Sequence, residues 1–525
     1  MVSAEDKLTY RAAISGPESG EWQSAIEQEF NSLKENNVWT LETLPKGRKA
    51  IGCKWVFRKK DLPGGGIRYK ARLVAKGYSQ VQGVDYTDTF APVLKYQSLR
   101  MLMAIANEED SHIHQMDVTT AFLYGELKEE IYMQLPEGFS HPGQEGKVWR
   151  LHKSLYGLKQ SPRCWNARIH HFLLEQGFTV MKTDSALYIK GADKVKQIIS
   201  LYVDDLLIFS KDISAIRTIK ASISAMFKVT DFGEVDTILG IKVTRNWEDG
   251  TLQMGQELYA QRILDRFKMG QCEGRSTPLV PGSKLSKTMV PVTETEKQAM
   301  ANTPYREAVG SLMYLMLCTR PDIAAAVQYV SRFSSNPAPQ HWEAVKHILR
   351  YVQRTKSLKL TFRKQGVIQL TGYSDSDWES CEDTRRSTSG YVFLLGGAAV
   401  SWCSRKQKSV SLSSCEAEYV AACEATREAV WETTMLEELG YGNLDSPIIY
   451  MDSQSAMQLI HNPVFHDKTK HIQGKMHYVR EIAQEGSVTF AKVHTSLNLA
   501  DILTKGVPSA KTATCRDGMG LSHQV

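Results

Sequence analysis

The sequence predicts a mixed α/β protein, with two α/β units separated by a mostly helical stretch. Three observations point there. Strand and helix signals intermix up to about residue 250, helical periodicity dominates from roughly Glu257 to Thr361, and a second α/β pattern starts near Leu370. At 525 residues and 42% hydrophobic, the chain can bury cores for two or more domains. No window approaches the roughly 18 consecutive apolar residues of a membrane span. The N-terminal MVSAEDKLTYRAAISG lacks a basic-then-apolar targeting pattern. Nine scattered cysteines, never spaced C-x-x-C, argue against a disulfide framework, a zinc knuckle or a redox pair. A reducing, intracellular compartment is the expectation.

The first element is an amphipathic helix. EWQSAIEQEFNSLKENNVW (21–39) spaces Trp22, Ile26, Phe30 and Leu33 along one helical face. Next, IGCKWVFRKK and IRYKARLVAKG flank the glycine-rich LPGGG, which predicts a hairpin. Arg68, Lys70 and Arg72 alternate in its second strand and therefore share a face. From Ile51 to Lys76 there are eight basic residues against one acid, although the whole chain balances at +6. Two readings fit: a clamp for a polyanion such as nucleic acid or a triphosphate, or a charged face kept for solubility.

LYVDDLLIFS (201–210) sets Asp204 and Asp205 inside a run apolar enough for a buried strand. Burying adjacent unpaired carboxylates is costly, so a strand–turn–strand that lifts them towards a cation is expected. Asp-Asp is also an ordinary turn dipeptide. HQMDVTTAFLYGEL (114–127) adds Asp117 at the end of a strand-like run. Three carboxylates and two metals can activate a hydroxyl and stabilise a leaving pyrophosphate.

A second acidic set follows in the last third of the chain. GYSDSDWE presents Asp375 and Asp377 on a predicted strand. SLSSCEAEYVAACEATREAVWETTMLEEL (411–439) reads as a helix with a Ser413–Glu416 capping pattern. Its buried stripe is Ala417, Val420, Ala421 and Ala425, with Glu418 at the edge. IIYMDSQSA places Asp452 where a strand ends, and HTSLNLADILTK supplies His494 and Asp501. Two strand-end acids, a helix acid and a late acid suit a two-metal nuclease.

The chain resembles the reverse transcriptase and RNase H segment of copia-type long-terminal-repeat retrotransposon polyproteins. The phrases that carry the likeness are WVFRKK, YKARLVAKGYSQ, DYTDTFAPV, QMDVTTAFLYGEL, IYMQLPEGF, SLYGLKQSPRCWN, LYVDDLLI, AVGSLMYL, TRPDIAAAV and HWEAVKHILRY, in family order. The resemblance implies a right-hand polymerase fold followed by an RNase H-like α/β domain. Its implied boundaries are a leader over 1–20, fingers and palm over 21–256, a helical thumb and connection over 257–369, and the nuclease over 370–525.

Site residues carry over by position. Asp117, Asp204 and Asp205 would hold the palm metals, with Asp204 the direct ligand and Asp205 more peripheral. Lys70 and Arg72 would neutralise the triphosphate, Phe122 would act as the aromatic gate against a 2′-hydroxyl, and Gln160 would contact the nucleotide. Tyr156 and Trp165 read as packing residues, with a template contact as the alternative. Asp375, Glu418, Asp452 and Asp501 would be the nuclease ligands, with Asp377 the alternative to Asp375, and His494 would lie near the scissile phosphate. The KTKHIQGKMHYVRE segment also matches, in a structural role. One departure is Thr230, where relatives commonly carry lysine. Lys228 is nearby, and the general-acid role stays unassigned.

The implied cofactor is Mg²⁺, with Mn²⁺ a second candidate. Implied partners are an RNA template, a DNA primer, the RNA/DNA hybrid and deoxynucleoside triphosphates, then a tRNA-derived primer, a gag particle and an integrase, but no membrane. The implied location is a cytoplasmic virus-like particle, with the nucleus as the alternative. No gag zinc knuckle, D-[ST]-G or integrase core is seen, so a processed product or a truncated reading frame is expected. The competing class is a remnant that keeps the fold and basic cleft without turnover. A nuclease lacking polymerase activity is a narrower alternative, which the intact Asp117, Asp204 and Asp205 oppose.

Overall fold

The computed structural model describes residues 8–61, 66–139, 146–192, 195–442, 444–461 and 473–523. Residues 1–7 of the leader, 62–65 of the LPGGG turn and 468–472 of the KTKHIQGKMHYVRE segment lie outside that set.

A short helix, Tyr10–Ser15, precedes the one expected to open the fold, which runs Ser19–Glu35 and buries Trp22, Ala25, Ile26 and Leu33. It ends because Asn37 turns left-handed at φ 52°. Its apolar stripe packs on the hairpin Cys53–Asp61 and Ile67–Ala75, whose inward positions are Trp55, Phe57, Ala71, Leu73 and Ala75. The register sets Arg58 opposite Lys70 and Lys60 opposite Arg68. Cross-strand partners share a face. Lys54, Arg58, Lys60, Arg68, Lys70 and Arg72 therefore all project from the side away from the helix, twice the number read from one strand.

A six-stranded antiparallel sheet follows, with its centre formed by His112–Val118, Asp205–Ser210 and Gln197–Tyr202. Residues 206–209 and 198–201 are buried on both faces, which explains the continuous apolar run around the aspartates.

The helical middle holds Glu257–Arg266, Tyr305–Cys318, Ala324–Ser331 and Pro339–Thr355 around one apolar cluster. The TRPD phrase has a structural job here. Arg320, 1% exposed, grips Asp322 through two hydrogen bonds of 2.8 and 2.7 Å, and Tyr351 and Thr355 complete the network. The stretch expected to be mostly helical ends instead in a strand, Lys359–Arg363. It pairs with Thr251–Gly255 on one side and with the C-terminal Leu521–Ser522 on the other. One sheet therefore draws strands from all three regions.

The nuclease-like sheet has the order Ala398–Lys406, Thr388–Leu395, Thr371–Asp377, Ile448–Met451, Thr489–Lys492. The first three are antiparallel and the last two join in parallel. The long helix Ser414–Glu438 crosses it, burying Ala417, Val420, Ala421 and Ala425 as expected. Ser413 caps it by accepting from the Glu416 N–H at 3.2 Å, while the Glu416 carboxylate takes the N–H of Leu412. No helix among the described residues is long and apolar enough to cross a membrane. All nine cysteines are unpaired.

Candidate active sites: two carboxylate clusters

The first cluster is built by strand register. Asp205 lies directly opposite Asp117, and the Asp204 carbonyl accepts the Val118 N–H at 2.9 Å. The tight turn that joins Gln197–Tyr202 to Asp205–Ser210 contains Val203 at φ 59°. A left-handed β-branched residue is strained by about 1–3 kcal/mol. Thr120, three residues after Asp117, is held left-handed in the same way at φ 55°. Among the described residues, the two β-branched ones held left-handed both lie where the acids are presented. Trp165 secures the turn, its indole N–H donating to the Val203 carbonyl at 2.7 Å.

Burial, then the neighbouring Asp204 charge, pushes the Asp205 carboxyl up to about 6 and the Asp117 carboxyl upward in the same way. The basic hairpin opposes this, since Lys60, Lys70 and Arg72 act on Asp117. Burial, then Arg72, Lys60 and Arg68, lowers the Lys70 ammonium. Cations and carboxylates therefore face the same space.

Phe122 lies half-buried on the short 3-10 turn Ala121–Tyr124. Its ring meets Tyr156 edge-on at 4.9 Å, and the Arg72 guanidinium covers the other ring at 4.4 Å. Tyr156, read from the sequence as packing, links the basic strand to Phe122. Gln160 is placed differently from the other expected substrate residues. It is fully buried, its amide donating to the Asp85 carbonyl at 2.8 Å and accepting from Gln80 at 3.0 Å. A direct nucleotide contact would require exposing this buried side chain. Thr230 stands opposite Asp117 in the sheet.

The second cluster converges more tightly. Asp375, Asp452 and Asp501 each offer an oxygen within 4.8 Å of the others, and no other trio of histidine, cysteine or acid among the described residues does so. Asp117, Asp204 and Asp205 form no such trio. Asp375 comes from the strand Thr371–Asp377, Asp452 follows the strand Ile448–Met451, and Asp501 lies on the 3-10 turn Leu499–Leu503. Asp377 stays outside the trio. Glu418 also lies beyond 4.8 Å, but Asp375 and Asp452 act on its carboxyl. Burial first, and those acids next, hold it well above the ordinary range. Its Oε2 is buried with no hydrogen-bond partner.

Sequence reasoning missed what positions these acids. Asn498 donates to the Ser374 carbonyl at 3.0 Å and caps the Asp501 turn by accepting from Ala500 at 3.1 Å. Thr504 donates to Asp375 Oδ2. Gly390, across the strands from Asp375, leaves room for that turn, because a Cβ there would meet Thr504 Cγ2 at 2.7 Å and Leu503 Cβ at 2.9 Å. Lys505 reaches Asp501 at 3.0 Å and Asp375 at 3.4 Å, and Lys511 reaches Asp501 at 3.0 Å. The i, i+4 spacing of Asp501 and Lys505 was the one available signal. His494 sits exposed on the preceding 3-10 turn. Its Nδ1 accepts from the Ser496 N–H at 3.2 Å, which leaves the neutral ring's proton on Nε2. Among the described residues it makes no hydrogen bond to the acids.

The cluster of Asp375, Asp452 and Asp501 could coordinate a divalent cation. Converging carboxylates, an orphaned Glu418 oxygen and upward-held carboxyls are what a hard dication would satisfy.

Comparison with known proteins follows the geometry. A model of the family described as Reverse transcriptase (RNA-dependent DNA polymerase) matches residues 36–281. The chain is 44% identical over 513 residues to the Retrovirus-related Pol polyprotein from transposon TNT 1-94 of Nicotiana tabacum, covering 97% of this chain and 38% of that protein. It is 33% identical over 314 residues to the putative transposon Ty5-1 protein of Saccharomyces cerevisiae, covering 60% of this chain and 100% of that protein. Against the transposon RE1 Pol polyprotein of Arabidopsis thaliana it is 38% identical, spanning 34% of that relative's length. The chain thus spans roughly a third to two fifths of its Pol polyprotein relatives. Among solved structures, a foamy viral protease-reverse transcriptase in complex with dsDNA matches with a TM-score of 0.50 at 13% identity, covering 94% of this chain and 86% of that one. That likeness is of fold.

Proposed function

This chain belongs to the reverse-transcriptase family of copia-type retrotransposon Pol polyproteins, and from that premise we propose that it copies RNA and DNA templates into DNA and degrades the RNA strand of the hybrid. The observation that carries the proposal is two separate carboxylate clusters in one chain. Asp117 faces Asp205 beside a six-cation hairpin face, while Asp375, Asp452 and Asp501 converge on another sheet.

Asp117, Asp204 and Asp205 would hold the ions for synthesis, and Asp375, Glu418, Asp452 and Asp501 those for cleavage. Bound Mg²⁺ supplies charge stabilisation for the attacking and leaving oxygens of phosphoryl transfer. The chain's own residues do the rest. Lys70 and Arg72 neutralise the triphosphate. Phe122, buttressed by Tyr156, presents a rigid ring that would collide with a 2′-hydroxyl. Gln160 acts indirectly, by bracing the 80–86 loop. His494 would lie near the scissile phosphate and help product release or proton transfer. The proposed working division is fingers and palm over 21–256, thumb and connection over 257–369 and nuclease over 370–525. The sheet shared by Thr251–Gly255, Lys359–Arg363 and Leu521–Ser522 ties the three together.

Proposed partners are an RNA template, a DNA primer, the hybrid and deoxynucleoside triphosphates. A tRNA-derived primer, a gag particle and an integrase follow from the family, as does a virus-like particle as location. The test is primer extension on an RNA template by the purified chain with Mg²⁺, with the RNA strand labelled. Extension accompanied by RNA shortening is expected. Absence of extension would move the reading to a folded remnant without turnover.

A further inference from the structure

The ammonium of Lys505 stands where a cation must go. Its Nζ lies 3.0 Å from Asp501 Oδ1 and 3.4 Å from Asp375 Oδ2, so a single positive charge spans two of the three converging carboxylates. Asp375 is 2% exposed and accepts one further bond, from Thr504. Two carboxylates so close, one of them buried, repel each other, and Lys505 offsets that repulsion.

The same side chain lines a cavity of about 250 Å³ between the connection and the nuclease sheet. Asp377, Arg332, Tyr329, Ser380 and Thr388 form its polar wall. Asp377 carries a carboxylate on which Lys505 and Arg332 act as the principal cations. Arg332 belongs to the same wall, its guanidinium donating to Thr388 at 3.3 Å and lying over Tyr329 at 5.2 Å, while its Nε has no hydrogen-bond partner among the described residues. Lysine suits movement across such a gap, being a compact charge on a flexible four-carbon stem.

A dication bound to Asp375 and Asp501 competes for them with an ammonium at these distances, because the two positive charges repel. We propose that Lys505 is a displaceable counter-ion: it neutralises Asp375 and Asp501 in the metal-free chain, and metal entry moves its ammonium into the adjoining cavity, onto Asp377. This rests on reading the trio as a metal site. Lys505 then holds the cluster together before metal arrives and competes with its loading.

The test is Mn²⁺ calorimetry on the full chain carrying Asp117→Asn and Asp204→Asn, so that heat reports the nuclease cluster. Adding Lys505→Met should tighten Mn²⁺ binding about ten-fold or more, while Lys505→Arg, which keeps the charge, should stay within about three-fold of the unchanged lysine. Asp377→Asn should weaken binding when Lys505 is present, and much less in the Lys505→Met background. The difference isolates the Lys505–Asp377 coupling from general loss of negative charge. In chelator, Lys505→Met should melt lower than the unchanged chain and gain more Tm from Mn²⁺. If that variant is too unstable to titrate, Lys505→Gln reads the same comparison. Equal or weaker Mn²⁺ binding by the uncharged variants overturns the counter-ion proposal alone. Absence of binding in every variant removes the metal site itself, and the proposal with it.

Discussion

The indole N–H of Trp165 donates a 2.7 Å hydrogen bond to the carbonyl of Val203, a β-branched residue held at φ 59° in the turn that presents Asp204 and Asp205. Trp165 is itself wedged against Phe227 at 5.3 Å, so the turn is tied to the core of the palm. Trp165→Phe keeps most of that packing and removes the bond, worth about 1 kcal/mol, while leaving a strained turn without its anchor. Steady-state extension should fall about ten-fold with RNA cleavage unchanged. Equal extension by both proteins would show that the turn holds itself.

The ring of Phe122 is fixed by Tyr156, which is in turn covered by Arg72. Phe122→Ala should therefore admit ribonucleotides, lowering sugar discrimination by about ten- to a hundred-fold. Competition between a deoxynucleotide and its ribo counterpart measures this. Unchanged selectivity would retire the gate assignment.

Gly390 faces the turn that carries Asp501 and Thr504. Gly390→Ala should push that turn off the strand, separate Asp501 from Asp375 and cut hybrid cleavage, while extension persists. Equal loss of both activities would indicate misfolding rather than a displaced ligand.

Asp375 and Glu418 are both held above their ordinary values, by burial first; the next influence is Lys505, which lowers the Asp375 value, while for Glu418 it is the neighbouring acid, which raises it further. The folded state therefore binds protons that the unfolded chain releases from about pH 4 upward. In chelator, stability present in acid should be lost as pH rises from about 4 through neutrality, and Mg²⁺ should restore it most at the alkaline end. Thermal melts at several pH values check this, with Asp375→Asn flattening the profile. If the metal-free chain does not lose stability relative to Asp375→Asn as pH rises, the burial argument is contradicted.

Much of this was legible because an acid inside an apolar strand is expensive and therefore noticeable. Asp204 and Asp205 could be found that way, Asp117 and Asp452 by their places where strands stop, and Asp375 over Asp377 only through the family resemblance. The positioning residues gave no such signal. Trp165 looks like any core tryptophan on a helix, and Gly390 like any glycine in a strand, because hydrogen bonds and close approaches depend on partners distant in sequence. Arg58 and Lys60 joined the cationic face only through cross-strand register, which the hairpin connection sets. Lys359–Arg363 hid within a helical stretch because five residues are too few for periodicity to speak, and its strand partners lie before and far after it.

The most direct test of two separate working clusters uses one RNA template annealed to a DNA primer, both labelled, with Asp204→Asn and Asp452→Asn compared side by side in Mg²⁺. The account predicts that Asp204→Asn loses primer extension and retains RNA cleavage, while Asp452→Asn shows the reverse. Loss of both activities in either variant, or of neither, would contradict it.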